Sequence, residues 1–334
     1  MVNKANKKSV LITGGAGFIG SHLAEKLLTM GDRVFVLDNL STGRIENIKH
    51  LISRNVSRST PGSDFTFKKG DVLNKALVKR CASGVDEIYH LAAAVGVKTV
   101  MEKPLESLIL NMKGTENVLE AAEGRKIPVL LPSTSEIYGK NTNTPFSEKD
   151  DRLYGPVHNY RWGYAFSKGV DEFLGLAYFR ERGVPVRIVR LFNVVGPRQS
   201  GEYGMVVPRF IKSAILGEPL VIHGTGNQTR CFGDVADVAD ALIKIMRHVR
   251  SAGEVYNLGS DREISINDLA KKVIKLTGSK SNIKHISYKK AYGDGFEDMQ
   301  RRKPDLSKIK KLIGYNPKNI LDDVIKKIIK YERE

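Results

Sequence analysis

Short apolar segments alternate with longer amphipathic ones along the first two thirds of the chain. The short runs predict strands at 9–13, 33–37, 65–67, 87–92, 129–133 and 186–192. The segments with apolar residues at helical spacing predict helices at 18–30, 97–122 and 162–182. Strands that alternate with helices favour a parallel sheet with right-handed crossovers. The pattern therefore predicts an α/β fold with a doubly wound parallel sheet.

After residue 196 the alternation loosens, and short strands mix with helices. We interpret this part as a smaller C-terminal α/β lobe that carries substrate contacts. The predicted domains are 1–196 and 197–334, with a helix near 234–250 returning to the first domain. The length of 334 residues fits about two domains.

Composition excludes several classes of protein. Hydrophobic residues make up 41% and charged residues 27%, as in ordinary globular proteins. The two cysteines are too few for a disulfide framework or a thiolate metal site. The absence of a long apolar run or a signal-peptide pattern predicts a cytoplasmic protein that has no membrane partner.

The net charge of +17 leaves nucleic acid, an anionic membrane surface or a phosphorylated small ligand as partners. The sequence contains no zinc pattern, no RNA-binding aromatic motif and no long basic run, so we expect no nucleic-acid partner and no metal. A phosphorylated small ligand is therefore the partner that we expect for the basic residues with a role in binding.

Three glycines follow the first predicted strand and open the first predicted helix. Gly14, Gly17 and Gly20 form a G-x-x-G-x-x-G pattern that also contains Phe18 and Ile19. Glycines permit a tight turn and a close approach of pyrophosphate, and the helix N-terminus supplies free N–H groups. In this strand–turn–helix context the pattern predicts a dinucleotide site on a Rossmann-type sheet.

Acidic and small residues stand at the ends of the next predicted strands. Asp38 can accept both ribose hydroxyls of an adenosine and would repel a 2′-phosphate, which favours NAD, while Arg44 keeps NADP as an alternative. Asp71 is a candidate acceptor for the adenine amino group, next to Val72. Small or apolar residues after the fourth strand would let a cofactor lie against it: Leu91, Ala92 and Ala93.

A pair of residues four apart predicts acid–base chemistry. Tyr164 and Lys168 share one face of the predicted helix 162–182. A nearby ammonium lowers the pKa of a tyrosine, and the phenolate can then take a hydroxyl proton as hydride leaves the same carbon. Thr134 and Ser135, just after strand 129–133, are candidates to hydrogen-bond the substrate oxygen as it becomes a ketone.

These motifs resemble the extended short-chain dehydrogenase/reductase family that modifies nucleotide sugars, over essentially the whole chain. The resemblance implies a bound NAD, a nucleotide diphosphate sugar in the C-terminal lobe and a homodimer. Because Tyr164 and Lys168 are both present, a non-catalytic relative is disfavoured. The matching segment 38–43 adds four cofactor-binding candidates: Asn39, Ser41, Thr42 and Gly43.

Glu136 bears on which reaction follows oxidation at C4 of the sugar. Simple 4-epimerases of the family usually have a small or apolar residue there, so a carboxylate suggests a further step. The segment 134–139 resembles that of UDP-glucuronate decarboxylases, which implies loss of CO2 and a UDP-pentose product. The alternatives are a UDP-hexose or UDP-uronate 4-epimerase, and then a nucleotide-sugar 4,6-dehydratase. One departure from those decarboxylases, Ala165-Phe166 in place of two acidic residues, points to a neighbouring branch.

The resemblance also assigns residues to the substrate. Arg302 matches an arginine placed near the departing carboxylate, and in plain epimerases the corresponding arginine grips the diphosphate. A planar, permanently charged guanidinium suits both roles. Arg230 and Arg198 are further diphosphate candidates, His223 is a candidate to stack on the nucleobase, and Asn193 is a candidate contact to the diphosphate or sugar.

Overall fold

The computed structural model describes residues 7–56, 64–159, 161–202, 204–292 and 298–334. The strands are β1 Ser9–Thr13, β2 Arg33–Asp38, β3 Phe65–Lys69, β4 Glu87–His90, β5 Val129–Thr134, β6 Val186–Leu191, β7 Val194–Val195, β8 Leu220–His223, β9 Thr229–Cys231, β10 Gly233–Asp234, β11 Glu254–Leu258, β12 Glu263–Ser265 and β13 Ile283–Ile286. The α-helices are α1 Phe18–Thr29, α2 Glu46–Val56, α3 Lys75–Ala82, α4 Val97–Glu102, α5 Pro104–Glu123, α6 Arg161–Arg182, α7 Val206–Ile215, α8 Val235–Arg247, α9 Ile266–Thr277, α10 Tyr288–Tyr292, α11 Ser307–Ile313 and α12 Leu321–Arg333. Two 3₁₀ helices span Ser135–Tyr138 and Val249–Ser251. None of the helices in the described ranges is long and apolar enough to span a bilayer.

Seven parallel strands form the central sheet in the order β3-β2-β1-β4-β5-β6-β11. The chain builds outward from β1 to β3 and then continues on the other side of β1 with β4. In such sheets a crevice for ligands opens at the carboxyl ends of the strands where the order reverses. This topology confirms the predicted Rossmann-type α/β class and places the crevice between β1 and β4.

Apolar layers cover both faces of the sheet. Val10 and Ile12 on β1 pack in a cluster with α1 and α8, whereas Leu11 packs on the opposite face with α3 and α5. Alternate residues of a strand point to opposite faces, so a strand buried on both sides becomes a continuous apolar run. This burial on both faces explains why the strands are short uninterrupted apolar runs in the sequence.

The C-terminal part has its own apolar cluster, built from α7, α9, α12 and β8, with Phe210, Leu269 and Ile325 buried in it. This part of the chain also contributes a strand and a helix to the first lobe. Strand β11, from the C-terminal part of the chain, pairs with β6 at the sheet edge. Helix α8 buries its apolar face in the same cluster as α1. The division at residue 196 stays a prediction.

Some helices are absent from the sequence-based assignment. Helices α2, α3 and α11 lie outside the helices that the sequence predicts. Helix α2 has a polar average composition, yet its Ile48 and Leu51 are buried against the sheet. Two apolar residues one turn apart are a weak signal in sequence but suffice when the sheet offers a partner.

Candidate active site

A cavity of about 490 Å³ lies at the carboxyl ends of the central strands and extends to α7 and β8. It is lined by every residue that the sequence analysis singled out for cofactor, reaction or substrate except Asp71. On the cofactor side these are Gly14, Gly17, Phe18, Ile19, Gly20, Asp38, Asn39, Ser41, Thr42, Gly43, Val72, Leu91, Ala92 and Ala93. The others are Thr134, Ser135, Glu136, Tyr164, Lys168, Asn193, Arg198, His223, Arg230 and Arg302.

The glycine loop leaves no room for side chains. A Cβ on Gly14 would lie 2.6 Å from the backbone nitrogen of Ala92, and one on Gly20 would lie 2.3 Å from the carbonyl oxygen of Gly14. Gly14 also has a φ of +70°, which L side chains rarely adopt. Helix α1 begins directly after Gly17, and no side chain caps its first turn. Its free N–H groups line the cavity and suit a pyrophosphate.

Asp38 at the end of β2 is held in place by the loop. Its carboxylate accepts hydrogen bonds from the backbone N–H groups of Ala16, at 2.9 Å, and Leu40, at 2.8 Å. Burial raises the pKa of Asp38, although these two hydrogen bonds act to lower it. Arg44, the residue that kept NADP open, pairs with Glu202 at 3.0 Å. A fixed carboxylate at this position suits the ribose hydroxyls of NAD.

Asp71 holds the turn that follows β3. It is not part of the cavity wall, and its carboxylate accepts hydrogen bonds from Asn39 Nδ2 and the backbone N–H of Leu73, both at 2.8 Å. It therefore shapes the loop that carries Asn39. Direct contact with adenine stays a prediction, since each carboxylate oxygen can accept a further hydrogen bond.

The tyrosine and lysine lie on one face of α6, as their spacing predicts, but their electrostatics differ from expectation. Lys168 Nζ donates a 2.7 Å hydrogen bond to Asp171. Burial raises the pKa of Tyr164 above its ordinary value, Glu136 raises it further, and a hydrogen bond with Thr134 lowers it. Burial and Glu136 thus oppose the lowering expected from Lys168, whose ammonium is paired with Asp171.

An ion pair stands beside Tyr164. Arg302 Nη2 lies 2.7 Å from Glu136 Oε1, and both residues are largely buried. Glu136 is in the 3₁₀ helix that follows β5. The segment after Arg302 is held by Phe146, whose N–H donates to Lys303 O and whose carbonyl accepts from Asp305 N, both at 2.8 Å. Arg302 Nε is buried and has no hydrogen-bond partner in the described part of the chain.

The far end of the cavity holds two more arginines. Arg230 donates to Asp298 at 2.8 Å. His223 is hydrogen-bonded on both ring nitrogens, with Arg209 at 2.9 Å and with the Tyr292 hydroxyl at 2.8 Å. Burial, then the nearby Arg209, lowers the pKa of His223 to about 4. The imidazole is therefore neutral at pH 7, and its edges are fixed.

Residues 11–328 match the family model described as GDP-mannose 4,6 dehydratase. The chain belongs to the GDP-mannose 4,6-dehydratase family. It is 42% identical over 329 residues to the UDP-N-acetyl-alpha-D-glucosaminuronate decarboxylase of Bacillus cytotoxicus, covering 98% of each chain. It is 37% identical over 333 residues to UDP-glucuronic acid decarboxylase 1 of Xenopus tropicalis, covering 100% of this chain and 74% of the relative.

A solved structure of the same fold holds a nucleotide sugar and NAD. The UDP-glucuronic acid 4-epimerase from Bacillus cereus, in complex with UDP-glucuronic acid and NAD, has a TM-score of 0.85. It is 28% identical, over 97% of this chain and 99% of the epimerase chain. The predicted family, NAD as its cofactor and a nucleotide-sugar decarboxylase as the enzyme class are confirmed by these comparisons.

Arg198 lines the cavity and is also held by α1, so its contact with a diphosphate stays a prediction. Its guanidinium donates to Glu25 at 2.8 Å and to the Ser21 hydroxyl at 3.4 Å, both on α1. The pair with Glu25 fastens the 196–202 segment to α1. Asn193 also uses its amide on the protein, donating to Cys231 O at 3.2 Å while lining the cavity.

The sequence analysis assigned no role to several polar residues in or beside the cavity. Arg209 was missed because it stands in the apolar stretch of α7, where a single arginine gives no signal. Its Nε is buried without a hydrogen-bond partner among the described residues, and burial lowers its pKa. Asp171 follows Lys168 by three residues and could have been found from that spacing. Three further lining residues without an assigned role are Tyr288, Tyr292 and Asp298.

Proposed function

We propose that the chain oxidises a UDP-linked hexuronate at C4 and then decarboxylates it to a UDP-linked pentose. The observation that carries the proposal is the Arg302–Glu136 ion pair, 2.7 Å between its charged atoms, in the cavity beside Tyr164. A guanidinium binds carboxylates through a planar fork, and a buried donor without a partner favours a ligand that satisfies it. Arg302 Nε is such a donor. The two decarboxylase relatives act, by their names, on sugar acids.

Each residue then has a chemical task. Tyr164 accepts the proton of the C4 hydroxyl, with Thr134 hydrogen-bonded to its phenol. NAD, when bound, supplies the acceptor for the hydride that leaves C4. The C4 ketone makes the C6 carboxylate a β-keto acid, so the C5–C6 bond breaks, CO2 leaves and the electron pair moves into an enolate. Arg302 orients the carboxylate, and Glu136 relays a proton from solvent to C5. Return of hydride to C4 and of the proton from Tyr164 to the C4 oxygen completes the turnover.

The same proposal assigns the binding residues. Gly14, Gly17 and Gly20 with the first turn of α1 hold the pyrophosphate of NAD, and Asp38 holds the adenosine ribose. The nucleotide diphosphate of the substrate binds at the other end of the cavity. Arg209 suits its charge, because no carboxylate pairs with this guanidinium in the described ranges, whereas Arg230 is paired with Asp298.

The substituent at C2 separates two possible uronates. The relative that is 42% identical is named for a 2-acetamido sugar acid, and the one that is 37% identical is named for glucuronate. This chain has Ala165-Phe166 where UDP-glucuronate decarboxylases usually carry two acidic residues. Both facts support placing the 2-acetamido substrate ahead of UDP-glucuronate.

The test is incubation of purified protein and NAD with each UDP-uronate, followed by mass spectrometry of the nucleotide sugars. The expected result is a product lighter by the mass of CO2, formed faster from the 2-acetamido substrate. Arg302→Lys is the informative variant, since it keeps the charge and loses the planar fork. A C4-inverted product of unchanged mass contradicts decarboxylation, and loss of water from a UDP-hexose indicates a dehydratase.

The alternative function is 4-epimerisation of a UDP-uronate. The Bacillus cereus epimerase with UDP-glucuronic acid supports it, because its fold superposes with a TM-score of 0.85. Epimerisation needs only oxidation, rotation of the ketone and reduction, so it gives no task to Glu136. The same incubation decides between the two, because only decarboxylation releases labelled CO2 from a substrate labelled at C6.

A homodimer through α5 and α6 is part of the proposal. These neighbouring helices expose large apolar side chains, with Leu105 69% and Ile109 46% exposed on α5, and Phe166 57% and Phe173 68% exposed on α6. Each pair lies at a spacing that puts both members on one helix face, and exposed apolar patches mark interaction surfaces.

Light scattering after size-exclusion chromatography should show a dimer, and the variant Phe173→Lys should be a monomer. Val249→Lys is a control, because Val249 is 87% exposed elsewhere. A wild-type monomer contradicts the dimer.

The cytoplasmic location and the two-domain division also stay proposals. The positions of β11 and α8 support a first domain that receives elements from the C-terminal half. Limited proteolysis should cut between 197 and 205 before it cuts inside the sheet.

A further inference from the structure

The ammonium of Lys168 is committed to a single carboxylate. Its Nζ donates a 2.7 Å hydrogen bond to Asp171 Oδ2, three residues further along α6. Lys168 is 4% exposed and Asp171 is 2% exposed. A buried ion pair of this kind costs desolvation of both groups and is weak evidence of stabilisation by itself. Its position one turn from Tyr164 gives a functional reason for the pair.

The charged groups around this pair come from four elements. On α6, Tyr164 and Glu172 flank it, and Asp171 raises the pKa of Tyr164. On β4, burial and then Lys168 lower the pKa of His90 to about 3, so this imidazole is neutral. The 3₁₀ helix after β5 adds Glu136, and the segment at 298–302 adds Arg302, and both act on Tyr164.

The hydrogen bond between Asp171 and Lys168 has two effects. It fixes the ammonium on the face of α6 that carries Tyr164, because residues three and four apart on a helix are neighbours. It also offsets the positive charge that would otherwise stabilise a Tyr164 phenolate. Lys168 without this partner would be a mobile, unbalanced charge next to the proton acceptor.

We propose that Asp171 is a positioning residue for the reaction, which holds Lys168 in register with Tyr164 and offsets the positive charge of its ammonium. The inference takes one element from the proposed function, which is the role of Tyr164 as the proton acceptor. It assigns no contact between Asp171 and substrate or cofactor, and Asp171 is not among the residues that line the cavity.

Two variants separate charge from position. Asp171→Asn keeps an acceptor for Lys168 Nζ but removes the negative charge, whereas Asp171→Ala removes both. The matched control is Asp32→Asn, because Asp32 is also buried in an ion pair, with Arg247 at 2.5 Å, but lies outside the cavity wall. A loss of stability alone should affect Asp171→Asn and Asp32→Asn alike.

The first measurement follows tyrosinate absorbance against pH in the NAD-loaded protein, with Tyr164→Phe subtracted to isolate Tyr164. In Asp171→Asn the ionisation of Tyr164 should begin about one pH unit lower than in the wild type, in line with removal of a nearby like charge. The control Asp32→Asn should follow the wild type. An unchanged onset, or a shift to higher pH, overturns the proposal.

The second measurement is the pH dependence of turnover. The acid limb of the kcat profile should move to lower pH in Asp171→Asn, and kcat should fall about 10²-fold in Asp171→Ala through misplacement of Lys168. A uniform loss that leaves the profile in place indicates a structural role and overturns the proposal. If no UDP-uronate is turned over by the wild type, the proposed function fails, but the tyrosinate titration still decides the role of Asp171.

Discussion

Arg190 on β6 donates two hydrogen bonds of 2.9 Å, from Nε and Nη2, to the two carboxylate oxygens of Glu172 on α6. The same guanidinium donates to the hydroxyl of Tyr138 at 2.9 Å, and Tyr138 donates to Asn257 at 2.7 Å. Tyr138 closes the 3₁₀ helix that carries Glu136. This buried network therefore ties the helix that bears Tyr164 and the turn that bears Glu136 to the sheet.

Breaking this pair should destabilise the whole fold. Glu172→Gln leaves the buried Arg190 without its charged partner, which we expect to lower the free energy of unfolding by about 3–5 kcal/mol. Urea denaturation measures the change. Glu181→Gln is the control, since Glu181 pairs with Arg180 on the exposed surface of the same helix. Equal midpoints for the two variants would show that the network contributes little.

Tyr164→Phe should remove the proton acceptor and leave the fold unchanged. We expect kcat to fall about 10²–10⁴-fold, the usual range for a positioned proton-transfer group. Steady-state kinetics on the preferred UDP-uronate measures the loss. Tyr178→Phe, on the same helix but outside the cavity wall, should retain wild-type kcat. Near-normal turnover of Tyr164→Phe would remove this tyrosine from the mechanism.

Glu136→Gln should separate the two chemical stages. Oxidation at C4 uses Tyr164, so NADH should still form in a single turnover, whereas release of CO2 should be slowed more strongly. Stopped-flow absorbance of NADH and mass spectrometry of the 4-keto sugar measure the two stages. If NADH formation is lost to the same extent as CO2 release, Glu136 acts in the oxidation step.

The two aspartates at the adenosine end should respond differently. Asp38→Ala removes a carboxylate from the ribose position, which we expect to weaken NAD binding by about 10- to 10²-fold. Asp71→Asn should bind NAD almost as the wild type does, because Asp71 lies outside the cavity wall and serves the turn. Calorimetry with NAD measures both. A larger loss for Asp71→Asn would support the adenine contact.

His90 should make the fold sensitive to acid. Burial, then Lys168, lowers its pKa to about 3, against about 6.5 in an unfolded chain. Between these values the unfolded state binds more protons, so the contribution to stability is complete above pH 6.5 and is lost as the pH falls toward 3. Urea midpoints at pH 7 and pH 5 should therefore differ more for the wild type than for His90→Gln. An equal difference in both proteins contradicts the prediction.

Local spacing in the sequence already determines a large part of this protein. The glycines at 14, 17 and 20 act through a single turn of backbone, and Tyr164 and Lys168 meet because one helix carries both. The buried strands are readable because a sheet covered on both faces makes every position apolar. These features need no knowledge of distant segments, so pattern alone indicates the fold class, the cofactor and the proton acceptor.

The tertiary structure decides which charges are free and which are paired. Arg302 meets Glu136, Arg198 meets Glu25 and Arg230 meets Asp298, and each pair joins segments far apart or on different elements. Helix α2 and strand β11 likewise take their places only when the sheet offers them a surface or an edge. Whether a cationic side chain can bind a ligand depends on its distance to the nearest carboxylate and on how far both groups are buried from water. Sequence separation predicts neither quantity. The sequence therefore determined the types of group in this site, and folding decided which of them remain available to a substrate.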